Sequence, residues 1–162
     1  MTIILKTVKS SQVEMIELVL PNDTNVLGNL LGGRLMHWID IAAALAAARH
    51  CNSVAVTAAV DNLVFHHPIK LGNIIRLKAS VNRAFNTSME VGVRVEIEEI
   101  KSGEISHSNS AYLTFVNIDA VTNKPVIVGE IIPESEIEKR RYDQALRRRN
   151  QRLSEKHGIL NE

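Results

Sequence analysis

Cysteine is nearly absent: Cys51 is the only one in 162 residues, so no internal disulfide framework can form. With no such framework, a reduced intracellular home is the simplest reading, and the expected location is the cytoplasm. Long apolar runs are missing too. Met1 to Ser11 holds no stretch of signal-peptide length, and the alanine-rich segment further on is interrupted by Asp40 and Arg49, so no membrane span is expected. An excess of one charge is also lacking. The net charge is +1, which removes whole-molecule attraction to polyanions as a basis for function, although basic residues gather near the C-terminus. There is no repeat at solenoid spacing and no low-complexity tract.

What remains is ordinary globular material, 45% hydrophobic and 23% charged, of a length that suits one domain with a sizeable core. Val13 to Leu20 is rich enough in branched and apolar side chains for a first strand, and Pro21-Asn22-Asp23 ends it. A loop of roughly a dozen residues follows, longer than ordinary connections need. Leu35, Ile39, Ala42 and Ala46 then keep helical spacing through Leu35 to His50, where six alanines raise helix propensity. Alanines also remove bulk, which suits a helix lying close against a sheet.

After Asn52 the period changes to two. Val54 to Val64 is read as a strand. Ile75, Leu77, Ala79 and Val81 alternate with Arg76, Lys78, Ser80 and Asn82, and the same alternation recurs over Met89 to Glu98 and Ala111 to Phe115. Short polar links, among them Phe85 to Ser88 and Lys101-Ser102-Gly103, make these strands an antiparallel meander. Ser135 and Glu138 stand at capping-box spacing before an amphipathic basic helix. The order strand, helix, four strands predicts an α+β fold in which a curved antiparallel sheet wraps a long central helix. Long half-wet strands leave an exposed edge, so self-association is expected.

The segment Leu20 to Asn52, LPNDTNVLGNLLGGRLMHWIDIAAALAAARHCN, resembles the acyl-CoA hydrolase branch of the hotdog thioesterases, the group of the bacterial broad-specificity and mammalian brain-type enzymes. The PNDTN turn, Gly28-Asn29, the Gly32-Gly33 pair, Asp40 and the helix end at Ala48 to Cys51 carry the likeness. VTAAVDNLVFHHPIKLGN, NTSMEVGVRVE and SAYLTFV extend it. The resemblance implies a single hotdog domain over 1–162, with a core over about 12–118 and a C-terminal helix over about 134–153. It further implies hydrolysis of acyl-CoA to a carboxylic acid and coenzyme A, without metal or other cofactor. Implied as well are homodimers with composite active sites, assembled as trimers of dimers, with no nucleic acid or membrane partner.

Asp40 is the one carboxylate on the alanine helix. Its apolar neighbours suggest burial, which would raise its pKa. The resemblance assigns it as the catalytic carboxylate, either a general base on water or a direct nucleophile through an anhydride. It assigns Asn29 of the opposing subunit to orienting water or the carbonyl, although an asparagine before a helix can equally be an N-cap. Gly32 and Gly33 form a loop into the helix N-terminus whose amides can approach a carbonyl oxygen, the helix dipole favouring negative charge there; as a plain alternative they are a tight turn. Thr57, Arg83, Asn86, Thr87 and Ser88 fall on the stretches that resemble substrate and coenzyme contacts, and Thr87 departs from a lysine common there. Arg148 lies in the basic C-terminal helix, which reads either as a clamp for coenzyme A phosphates or as a solvated face.

His37, His50, His66 and His67 lack metal-ligand spacing, and Cys51 reads as a small buried hydrophobe. Two other functions fit a hotdog chain. A non-catalytic acyl-CoA sensor or nucleic-acid binder would rely on the arginine-rich tail, but the tail carries no interleaved aromatics beyond Tyr142. A dehydratase would call for a catalytic histidine, and His37 stands off the motif.

Overall fold

The computed structural model describes residues 5–61 and 63–159. In chain order it contains β1 (Lys6–Thr7), α1 (Val8–Ser11), β2 (Val13–Leu18), a 3₁₀ turn (Pro21–Asp23), α2 (Gly32–Cys51) and β3 (Val54–Val60). There follow β4 (Ile74–Ala84), β5 (Ser88–Glu98), β6 (Ile105–Ile118), β7 (Ile131–Ile132) and α3 (Glu136–Ile159).

Five strands form one antiparallel sheet in the order β2-β4-β5-β6-β3, which leaves β2 and β3 as its edges. The two-residue period sends Leu77, Ala79, Val81, Val91, Val93, Val95, Leu113 and Phe115 to one face, where all are buried. α2 lies on that face. It touches all five strands, and Ala42, Ala43, Ala46 and Ala47 are fully buried, because a methyl-sized side chain lets the sheet close around a helix backbone. Asn52, in the left-handed conformation at φ 52°, ends the helix. This is the hotdog architecture.

Differences from the sequence reading are local. Helix α2 starts at Gly32, not Leu35, so Gly32 and Gly33 occupy its first turn and are not loop residues. Helical spacing of apolar side chains cannot report glycines, which have none. Strand β3 stops at Val60, short of Val64, after a bulge between Thr57 and Ala59; Asn62, within the expected strand, lies outside the described residues. The bulge bends the strand, and past it Asp61 N–H still donates to Tyr112 O at 2.9 Å. Two elements go unannounced by period: α1, and the parallel pair of two-residue strands β1 and β7. Such short pieces carry no measurable periodicity. α3 runs past the expected end at Leu153, and at its start Ser135 and Glu138 make the reciprocal capping bonds.

α3 packs against the outer face of the sheet through a polar lock. Glu90, almost fully buried, takes two hydrogen bonds from Arg148 at 3.0 and 2.7 Å and one from Asn82 at 2.9 Å. The Arg148 guanidinium also stacks on the Tyr112 ring at 3.6 Å, and Arg152 pairs with Asp61 at 3.0 Å.

Candidate active site

Asp40 stands in the third turn of α2, half-buried within one protomer, so this chain alone does not supply the burial its apolar sequence neighbours suggest. Its Oδ1 accepts a 2.6 Å hydrogen bond from Thr57 Oγ1 on edge strand β3. The contact exists because Thr57 pairs with Phe115, whose side chain points under α2, so the threonine shares the face that meets the helix. Thr57, expected only as a substrate contact, is therefore a direct partner of the expected catalytic group. Oδ2 is left without a hydrogen bond from the described residues.

The start of α2 is assembled by the 21–31 loop. Asp23, buried, accepts from Leu20 N–H at 3.0 Å and pairs with Arg34 Nε at 3.0 Å, while Leu31 N–H donates to Asp23 O at 2.8 Å. Gly32 and Gly33 follow, and amides in a helix's first turn have no intrahelical acceptor. A Cβ on Gly33 would meet nothing within 4 Å, whereas one on Gly32 would come 3.3 Å from the Phe65 ring. Asn29 lines a cleft of about 290 Å³ beside this turn, together with Leu30, Leu35 and Phe65. Asn25 closes the turn ahead of it. Its Oδ1 accepts from the amides of Leu27 at 2.9 Å and Asn29 at 3.2 Å, and Gly28 takes the positive φ of 73° that the turn requires.

The expected coenzyme stretch lies at the same end of the sheet as Thr57. Val56, Val116 and Ser88 form one row across β3, β6 and β5, so Ser88 is two strand spacings, about 10 Å, from β3. Asn86 O and Thr87 O accept from Val128 and Asn117, which fixes the turn. Arg83 packs over the Tyr142 ring at 4.0 Å and donates to Tyr142 O at 3.3 Å. Arg148 is not brought to this group: Glu90 holds its guanidinium, a pairing between residues 58 apart that no local pattern announces. Cys51 is half-buried, and burial pushes its thiol up to about 11, which suits a packing role. Trp38 is buried in the protomer's own core.

The sequence model of the Thioesterase superfamily matches residues 27–104. The uncharacterized acyl-CoA thioester hydrolase YkhA of Bacillus subtilis is 38% identical over 148 residues, covering 91% of this chain and 86% of that protein. This chain belongs to the thioesterase superfamily. Two solved structures resemble this thioesterase over nearly its whole length. An acyl-CoA hydrolase from Staphylococcus aureus, in complex with butyryl coenzyme A and coenzyme A, has a TM-score of 0.87 and 35% identity, with 97% of both chains covered. A hexameric acyl-CoA thioesterase has a TM-score of 0.89 and 37% identity, covering 93% of this thioesterase and 96% of that chain.

The Staphylococcus aureus hydrolase is also known as single alanine variants of an asparagine, an aspartate and a threonine, the asparagine 15 residues before the aspartate and the threonine 17 after it. In this thioesterase the residues so spaced about Asp40 are Asn25 and Thr57; Asn29 is 11 residues ahead of it. Asn25 sits within PNDTN.

Proposed function

We propose that this thioesterase hydrolyses acyl-CoA to the free acid and coenzyme A, at sites built between two copies of the chain. The observation that carries the composite site is a distance. Seven residues separate Gly33 from Asp40 along α2, about 10 Å at ~1.5 Å rise per residue. A carbonyl held by the first-turn amides is beyond reach of the carboxylate on the same helix. A second copy, offering its own helix start to this Asp40, closes the gap. Edge strand β3 suits that association, since its outer edge has no strand partner among the described residues and Val54, Val56 and Val60 are exposed on it, with Ile41 and Leu45 exposed on α2. The hexameric relative supports a trimer of such dimers.

In this reading Asp40 acts as general base. Thr57 holds Oδ1 and aims Oδ2 at a water, whose proton it takes as the oxygen adds to the thioester carbon. The oxyanion forms against the amides of Gly32 and Gly33 of the second copy, where fixed dipoles stabilise it without rearrangement. Collapse expels the coenzyme A thiolate, which recovers the proton from Asp40. The chemistry requires only water. Asn25, by its spacing from Asp40, takes the orienting role that the family resemblance gave to Asn29, its Nδ2 donating while Oδ1 holds the turn. Arg83, Asn86, Thr87 and Ser88 line the coenzyme's approach, with Arg148 supporting α3 from behind. Thiol release from acyl-CoA is the test: Asp40→Ala should lose about 10²-fold or more in kcat. Full activity in that variant removes Asp40 from the chemistry.

A further inference from the structure

A helix start is ordinarily fastened by serine, threonine, aspartate or asparagine at the N-cap, whose side chain accepts from the amide two or three residues further on. α2 has Leu31 at that position, with no side-chain oxygen to offer. A polar residue there would compete for the amide of Gly33. Leucine leaves it open, and neither Gly32 nor Gly33 N–H finds an acceptor among the described residues. Open donors are poorly defined unless something else directs them. Glycine has no side chain to lock its peptide planes, and a Cβ on Gly33 would meet nothing within 4 Å. The direction of these amides must therefore be imposed by the residues on either side.

Asp23 reaches both sides. Its backbone carbonyl accepts from Leu31 N–H at 2.8 Å, just before the glycines, and its Oδ1 pairs with Arg34 Nε at 3.0 Å, just after them. Its Oδ2 takes Leu20 N–H at 3.0 Å, which ties the same residue to the chain leaving β2. The carboxylate is only 12% exposed, so this pair is less screened by water than a surface one. We propose that Asp23 is a positioning residue for thioester hydrolysis: with Arg34 it replaces the missing N-cap from outside the helix, fixing Gly32 and Gly33 from both sides while touching neither amide. The inference rests on the proposed role of those amides as oxyanion donors. Such donors stabilise the transition state only when their dipoles already point at the forming charge. A first turn that tilts slows the chemical step and leaves the grip on coenzyme A unchanged.

Thiol release from acyl-CoA, measured beside thermal melts of the full-length protein, tests this with two variants and one control. Arg34→Met cuts the bracket after the glycines and strands the Asp23 carboxylate. Asp23→Asn combined with Arg34→Met leaves no charge stranded, and the asparagine oxygen still serves Leu20 N–H, so the melting temperature should recover toward wild type. The bracket stays cut. In both variants kcat should fall about tenfold or more, with KM within about twofold of wild type. If kcat recovers together with the melting temperature in the double variant, Asp23 serves stability alone and the proposal is overturned. Wild-type kcat in Arg34→Met, or an effect confined to KM, overturns it too. Gly33→Pro removes one of the amides outright and separates this inference from the reading beneath it. An impaired Gly33→Pro beside a fully active Arg34→Met strikes out the positioning role alone, whereas an unimpaired Gly33→Pro strikes out the oxyanion assignment and the positioning role with it.

Discussion

Thr57 Oγ1 donates to Asp40 Oδ1 across 2.6 Å, joining the bulged edge strand of the sheet to the middle of its buried helix. One oxygen of the carboxylate is thereby committed, and the other, free of hydrogen bonds from the described residues, is the one the proposed mechanism uses. Thr57→Val keeps the shape and removes the donor. Hydrogen bonds to charged groups contribute about 1.5–3 kcal/mol, so kcat should fall roughly 10- to 100-fold. KM should move little, because the lost bond orients the base and does not hold the substrate. A change confined to KM would make Thr57 a binding residue instead.

The composite site predicts complementation. Asp40→Ala and Gly33→Pro, each inactive alone, place their defects in different halves of every mixed dimer, so one site in each such dimer is intact. After unfolding and refolding together in equal amounts, about a quarter of wild-type activity should return for random pairing of two-fold dimers. Activity no higher than that of either parent would mean that each chain houses a complete site.

Asn25 and Asn29 are separable by chemistry. Asn25→Asp retains the oxygen that accepts from Leu27 and Asn29, and replaces the amide donor with a negatively charged acceptor oxygen. Thiol release should drop at least tenfold with the melting temperature within a few degrees of wild type, whereas Asn29→Ala should retain most activity. The reverse ranking returns the orienting role to Asn29.

Glu90 is the most consequential buried charge on the outer face. Arg148→Ala leaves it without its cation, a loss of about 3–5 kcal/mol for a broken buried pair, measurable by urea unfolding. Glu90→Gln combined with Arg148→Met should cost less than Arg148→Ala alone, since no lone charge is stranded. Gly92→Ala strikes the same network from another side: its Cβ would stand 2.7 Å from Asn82 Nδ2, which the bond to Glu90 holds in place. A cost of about 1–3 kcal/mol is expected for such overpacking.

His50 sets a pH dependence of stability. Its Nε2 donates to Gly129 O at 2.7 Å, and Nδ1 is buried without a partner. Desolvation, with nearby Lys6, holds its pKa below the ordinary imidazole value of 6.5, against the opposing pull of the Gly129 bond. The neutral ring is thus favoured in the fold, and its contribution is complete above 6.5. As pH falls below that value the unfolded chain takes up a proton that the folded chain resists, so stability declines until the folded pKa is passed. His50→Gln should flatten that part of a stability profile measured by denaturant unfolding.

Much of this was legible in the residues. The alanine helix and the alternation in β4, β5 and β6 could be read directly, because each regular element imposes its own short period on side-chain polarity. Asp40 stood out as a lone carboxylate on an apolar helix, and the loop leading to Gly32 stood out by length. The end of β3 was less legible, because a bulge shifts the register of a strand without changing its composition.

Local period and residue type thus account for the regular elements and for the choice of candidate residues on them. Pairings over long separations belong to the folded chain: Thr57 to Asp40 across the gap between strand and helix, Arg148 to Glu90 across 58 residues, and Arg152 to Asp61 across 91. A basic helix reads the same in one dimension whether its arginines meet a ligand, a buried glutamate or water. Which of these each arginine meets depends on where α3 crosses the sheet, and that crossing is set by the packing of surfaces brought together only when the whole domain closes.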